Sequence, residues 1–290
     1  MMKNRKEISS LLLFSLFIGV SYPAAAVATE STNPFFVVAV MYLIGLLVAL
    51  VIGRRFTFRK ADVLPSVAFA IATFLLLASL YNSLLFIPGP LASFLNQLGF
   101  LVAAFLEWAF FGQKIGRGML TAFVVAAAGL IIILFSNGIS LEANPGFLLG
   151  VALGVAGAVA LGVQYIVGSR FSNRVNPMVS TLYSCVIIST ASFMMFRLQA
   201  PSAPVSIPLQ ALPYVLYLGI FASSLSRYLQ FYGQKKISAT MTGVIFLSIP
   251  VVSLLSGLFF NQTLNALQMV GSLLLLFAVV VVVREQRHRR

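Results

Sequence analysis

Charge is what this sequence has least of. Of its 290 residues only 9% are Asp, Glu, Lys or Arg, where a soluble domain carries roughly 25%. That shortage excludes an ordinary cytosolic enzyme and a disordered chain alike. Cysteine occurs once, at Cys185, so no internal disulfide can form and a thiolate metal site is excluded. Histidine also occurs once, at His288 in the tail, which removes haem and zinc ligation from the hydrophobic body. The six lysines (Lys3, Lys6, Lys60, Lys114, Lys235 and Lys236) all fall in loops or tails. A retinal Schiff base therefore has no intramembrane amine. No paired intramembrane Asp and no G-x-x-x-x-G-K-S/T phosphate loop is present, which argues against intramembrane proteolysis and ATP-driven transport. No cofactor, no metal and no enzymatic activity is expected.

What fills the sequence instead is apolar: 60% hydrophobic residues and a mean hydropathy of +1.02. Ten hydrophobic runs separated by short polar or Pro/Gly-containing breaks are predicted as helices: 8–28, 34–52, 61–82, 91–112, 116–136, 146–168, 177–196, 212–232, 238–260 and 265–283. Each approaches the ~20 residues that cross a hydrocarbon core of about 30 Å. The first run, with Lys3–Lys6 before it and Ala24-Ala25-Ala26 within it, has some marks of a signal peptide. Its apolar stretch continues to Ala28, so it is read as a retained helix.

The net charge of +13 is an orientation signal. With the N-terminus inside, 17 of the 19 basic residues fall on the cytoplasmic side, Arg197 falls outside and Arg227 lies within a span. Nucleic acid is therefore not an expected partner, because no basic run is interleaved with aromatics in a soluble segment.

A shift of 149 residues sets Phe110-Phe111-Gly112-Gln113 on Phe259-Phe260-Asn261-Gln262, and Leu80, Leu98 and Leu106 on Leu229, Leu247 and Leu255. Five helices is an odd number, so the second half inserts upside down relative to the first. The expected fold is an all-α membrane protein of ten helices in two inverted five-helix repeats, 1–140 and 141–290, with both termini cytoplasmic. Inverted repeats of this kind mark secondary transporters, with the substrate at the repeat interface.

With these features, with Ser248-Ile249-Pro250-Val251 ahead of the second Phe-Phe turn and with a Gly-rich sixth helix, the sequence resembles the drug/metabolite transporter superfamily, in particular its EamA-like branch. The resemblance covers nearly the whole chain. It implies transport of a small metabolite, often efflux of amino acids or related compounds, through a cavity at the bundle centre. Where that family usually has a glutamate in the turns after its fourth and ninth helices, this sequence has Gln113 and Gln262, and Leu101 stands where the second repeat has Pro250. A mechanism built on those carboxylates does not transfer.

Polar side chains within spans are costly and point to cavities or partners. Glu107 and Arg227 lie roughly 8–9 Å from the cytoplasmic ends of their helices at 1.5 Å per residue. Gln164 and Tyr183 fall at a similar depth, which predicts a polar layer. Ser223, Arg227, Gln230 and Gln234 form one stripe on the eighth helix, and Ser93, Asn96 and Glu107 share a face of the fourth. Tyr81 and Tyr165 are further candidates to bond or stack on a solute. Arg227 is read either as snorkelling to the headgroups or as the anchor of a substrate carboxylate or the counter-ion of Glu107 in a water-filled cavity, with Glu107 coupling protons. Gly146, Gly150, Gly154, Ala158 and Gly162 make a small-residue ladder for close helix packing.

The expected function is alternating-access transport of a small organic metabolite, with an amino acid or related zwitterion as the candidate and efflux the favoured direction. The competing readings are a passive facilitator and a non-transporting receptor or assembly subunit, whose bundle would be packed solid. The expected partners are a small-molecule substrate, the lipid bilayer and, in the coupled reading, protons. The expected assembly is a monomer or homodimer in a prokaryotic inner membrane.

Overall fold

The computed structural model describes residues 5–52, 59–111, 117–136, 145–171, 175–234 and 245–288. Among them every regular element is helical. We number ten helices. They are α1 (Arg5–Glu30), α2 (Pro34–Ile52), α3 (Lys60–Ser83), α4 (two arms, Gly89–Asn96 and Leu98–Phe111), α5 (Arg117–Leu134), α6 (Pro145–Phe171), α7 (Pro177–Gln199), α8 (Leu212–Gln234 in three pieces), α9 (Ser248–Phe259) and α10 (Ala266–His288). Six regions are long and apolar enough to cross a membrane: α1, α2, α3, α4 taken across its break, α6 and α7. The large exposed apolar side chains, such as Phe110 at 74% and Phe259 at 89%, are stable only against lipid.

Local chemistry sets several helix starts. Asn33, Asn176 and Asn265 cap α2, α7 and α10, accepting from the backbone N–H of Phe35 (2.9 Å), Met178 (3.0 Å) and Gln268 (2.8 Å). At α10 the Gln268 amide oxygen returns a bond to the Asn265 N–H at 3.1 Å, a reciprocal capping box. In α2 and α7 a proline follows the cap at the position where a missing N–H is harmless. Within the bundle, hydroxyls bond back to carbonyls of their own helix, as Thr29 does to Ala25, Thr73 to Phe69 and Thr181 to Pro177. That satisfies a polar atom where water is excluded.

The helices pack in a reciprocal pattern. α1 lies against α8 and α9, and α6 lies against α3 and α4; α2 contacts α7 and α8, and α7 contacts α2 and α3. α4 meets α9 near the centre, and α5 and α10 pack chiefly on each other. Glycines permit these approaches. Gly129 and Gly271 meet at the α5–α10 crossing, where a Cβ on either would lie under 3 Å from the other's carbonyl oxygen. The ladder on α6 packs as the sequence suggests: Cβ atoms added at Gly150, Gly154 and Gly162 would press on Phe86, Leu95 and Val102. Ala158, fully buried, offers its carbonyl beside Gly99.

Candidate functional site

A cavity opens at the bundle centre, walled by α1 (Ser21, Tyr22), α2 (Met41, Tyr42), α3 (Leu77, Tyr81), α4 (Asn96, Gln97), α6 (Gln164, Tyr165), α8 (Arg227, Gln230) and α9 (Ile249). It offers about 80 Å³ to the centres of water molecules, where about 10–15 Å³ suffices for one. The bundle is therefore not packed solid.

Arg227 is the charged side chain of this wall. It is only 8% exposed, so its guanidinium does not reach the headgroups by snorkelling. One terminal nitrogen donates to the Gln230 amide oxygen at 3.2 Å, and the other lies 3.5 Å from the Tyr42 hydroxyl. The guanidinium carbon sits 5.5 Å from the centre of the Phe69 ring, a cation–π distance. Phe69 in turn packs on Phe231 at 5.2 Å between centroids. Nε has no hydrogen-bond partner.

The backbone that delivers Arg227 is itself unusual. α8 runs as an α-helix over Leu212–Tyr217, widens to a π-helix over Leu218–Leu225 and returns to α over Ser226–Gln234. The Ser226 hydroxyl closes the wide turn by donating to the Phe221 carbonyl at 2.6 Å. Such segments are frequent at functional sites because they re-aim the side chains beyond them. Ser223, within the wide turn, is fully buried, its hydroxyl donating to Gly219 O and seated against Gly45 of α2.

Opposite, α4 breaks at Gln97, where ψ is −20° and the N–H turns back to Phe94 O at 3.0 Å. The break puts two amides on the cavity wall. Asn96 donates to the Tyr22 hydroxyl at 2.8 Å, and its own Oδ1 has no partner. Gln97, 3% exposed, has its Oε1 unpartnered. On α6, Gln164 donates to Thr73 Oγ1 and Tyr165 stacks on Phe100 at 4.6 Å between centroids. Tyr81 donates to Met41 Sδ at 3.0 Å.

Of the residues predicted from sequence, Arg227, Gln230, Gln164, Asn96, Tyr81 and Tyr165 thus meet at one cavity. Glu107 and Tyr183 do not: both are half-buried and absent from its wall. Placing Glu107 on the face of Asn96 assumed one continuous helix, and the turn at Gln97 interrupts that register. Ser93 turns back to Pro90 O at 2.6 Å. The side chain of Gln234, and Gln113 as a whole, lie outside the described residues.

Sequence reasoning missed Gln97, Tyr22, Tyr42, Phe69 and Thr73. Gln97 had a signal, a second amide beside Asn96 in an apolar run. The aromatic residues had none, since 12% of the chain is aromatic.

The sequence model of the EamA-like transporter family matches residues 5–135 and 148–284. An uncharacterized transporter of Archaeoglobus fulgidus is 24% identical over 290 residues, which take in 95% of this chain and 98% of that protein. A protein of known crystal structure shares the fold with a TM-score of 0.67 at 19% identity, over 94% of this chain and 95% of its own. Long apolar helices around a polar-walled cavity are the form of an integral membrane transporter. With a family match over nearly its whole length, the chain belongs to the EamA-like transporter family.

Proposed function

We propose that this chain is a secondary transporter of a small organic zwitterion, an amino acid or a close relative, which it carries by alternating access of its two halves. One observation carries the reading. A guanidinium 8% exposed, with its Nε unpartnered, shares a cavity with two amides whose oxygens are also unpartnered. Unsatisfied buried polar groups cost about 1–3 kcal/mol each. A solute carboxylate on Arg227 and a solute ammonium near the Gln97 oxygen would offset those costs.

The inverted repeat has its own support. The Asn-Pro starts of α2 and α7 correspond, as do the packing of α1 on α8 and α9 and that of α6 on α3 and α4. The breaks at Gln97 in α4 and Leu247 before α9 fall within one residue of the 149-residue shift. Discontinuous helices at matching places in two halves are how secondary transporters build a midplane site. The membrane is a prokaryotic cytoplasmic one with both termini inside, and the direction is export.

Glu107 is assigned the proton-coupling role, from the second arm of α4. A passive facilitator is the second reading, favoured by the absence of Asp or Glu among the described residues of the cavity wall. The test is counterflow of radiolabelled amino acids in proteoliposomes, with and without a pH gradient. Exchange of an amino acid is expected, and no exchange of any amino acid would sink the substrate class. Gradient-driven accumulation that survives in Glu107→Gln would remove the coupling role and leave the carrier.

A further inference from the structure

Beside the cavity, three segments of the chain meet on one side chain that is not part of its wall. Helix α9 ends in a Schellman turn: Asn261 adopts φ 55°, its N–H reaches Leu258 O at 3.4 Å and the Gln262 N–H reaches Gly257 O at 2.9 Å. This turn presents the Gln262 carboxamide to two other segments. Its Oε1 accepts from the Gly89 N–H at 3.0 Å, at the start of α4. Its Nε2 donates to the Pro23 carbonyl at 3.1 Å, within α1.

The three backbones are in contact there. A Cβ on Gly89 would lie 2.6 Å from the carbonyl of Tyr22, and one on Gly257 would lie 2.5 Å from the Pro90 ring. Tyr22, next to Pro23, is a cavity-wall residue bonded to Asn96. The junction thus lies one residue from the cavity wall.

We propose that this junction is a closed mouth of the cavity and that Gln262 is its latch. It ties the proline-marked point of α1, the entry to α4 and the end of α9 into one closed gate, and the mouth opens when its two bonds part. The inference rests on the transporter reading above. The chemistry of the latch is specific. One atom must accept and the other must donate, which a neutral carboxamide does at any pH. The segments 19–27, 84–90 and 257–265 contain no Asp, Glu, Lys, Arg or His. Among the described residues, Tyr22 and Tyr214, whose ring packs on Phe260 at 5.8 Å between centroids, are titratable groups placed beside the junction. Nothing charged on these segments sets the latch.

Glu at position 262 would convert it. A carboxylate accepts from Gly89 but turns a second acceptor on the Pro23 carbonyl. Only the protonated acid restores both bonds. The readout is alkylation of a cysteine placed on the cavity wall, Ser21→Cys, in a Cys185→Ser background, using a soluble maleimide on purified protein. Slow labelling is expected with Gln262 at all pH values. Gln262→Ala should label about tenfold faster. Each rate is divided by that of the Gln262 protein at the same pH, because the thiolate fraction itself falls in acid. Gln262→Glu should then label about tenfold faster than the Gln262 protein at about pH 8 and at the same rate as it at about pH 4.5. Because the ratio to the Gln262 protein is taken at each pH, neither a folding defect nor protonation of the probe thiol imitates the reversal. Wild-type rates in both variants, or the same Gln262→Glu to Gln262 rate ratio at the two pH values, overturn the latch. Labelling that follows the expected pattern in a protein without amino-acid counterflow would keep the latch and reject the substrate.

Discussion

Arg227 holds its place by packing as much as by charge. The Phe69 face, the Gln230 amide and the Tyr42 hydroxyl fix the plane of the guanidinium before any solute arrives. A planar, forked cation held this way is suited to a carboxylate, and lysine cannot reproduce it. Two substitutions separate charge from geometry. Arg227→Lys keeps the charge but loses the fork, and is expected to weaken substrate affinity about tenfold while transport persists. Arg227→Gln removes the charge and should abolish binding, read as loss of ligand-dependent thermal stabilisation. The affinity arithmetic is direct, since tenfold corresponds to about 1.4 kcal/mol, within the range of one charge-assisted hydrogen bond. Equal affinities in Arg227→Lys and wild type would mean that Arg227 supplies only potential, not recognition.

At the scale of elements, the α4–α6 contact shows which glycines matter and why. A Cβ at Gly154 would meet the tip of Leu95, a flexible methyl, at 2.9 Å, while one at Gly162 would meet the stiff Val102 side chain at 2.6 Å and Gly99 O at 3.0 Å. Gly162→Ala should therefore destabilise by about 1–3 kcal/mol, as overpacking does. Gly154→Ala should be near neutral, because helix propensity repays the small shift of Leu95. Thermal unfolding in detergent orders the two, and a reversed order would place the tight contact elsewhere. The ladder was legible in the sequence because spacing at every fourth residue is a property of one helix. Helix positions were legible for the same reason, since hydrocarbon demands continuous apolar runs. The break at Gln97 and the π turn over Leu218–Leu225 were not, since neither region carries a proline at the interruption itself. Their causes are tertiary, such as the seat of Ser223 against Gly45.

For the molecule as a whole, the proposed orientation sets the basic residues on the cytoplasmic side. Two of the 19 depart from the rule, and each has a local reason. Arg227 is held in the cavity. Arg197, in the last turn of α7, donates to the carbonyls of Pro201 and Ala203 at 3.0 and 3.2 Å and lies over the rings of Phe193 and Phe196. A cation that satisfies carbonyls beyond a helix C-terminus serves as a cap, whichever side of the membrane it faces. With both exceptions bound to neighbours, the remaining basic residues carry the topology signal undiluted. A fluorescent protein that matures only in the cytoplasm is expected to light up when fused after Arg290. The same fusion should stay dark when the chain is cut in the 201–210 segment, between α7 and α8. The odd number of helices per half makes this a test of the repeat as well. Opposite facing of the 201–210 segment and the C-terminus requires an odd number of crossings between them, and in the proposed topology α8, α9 and α10 are those three. A bright fusion at both positions would break the five-plus-five inversion, and with it the geometry that alternating access needs.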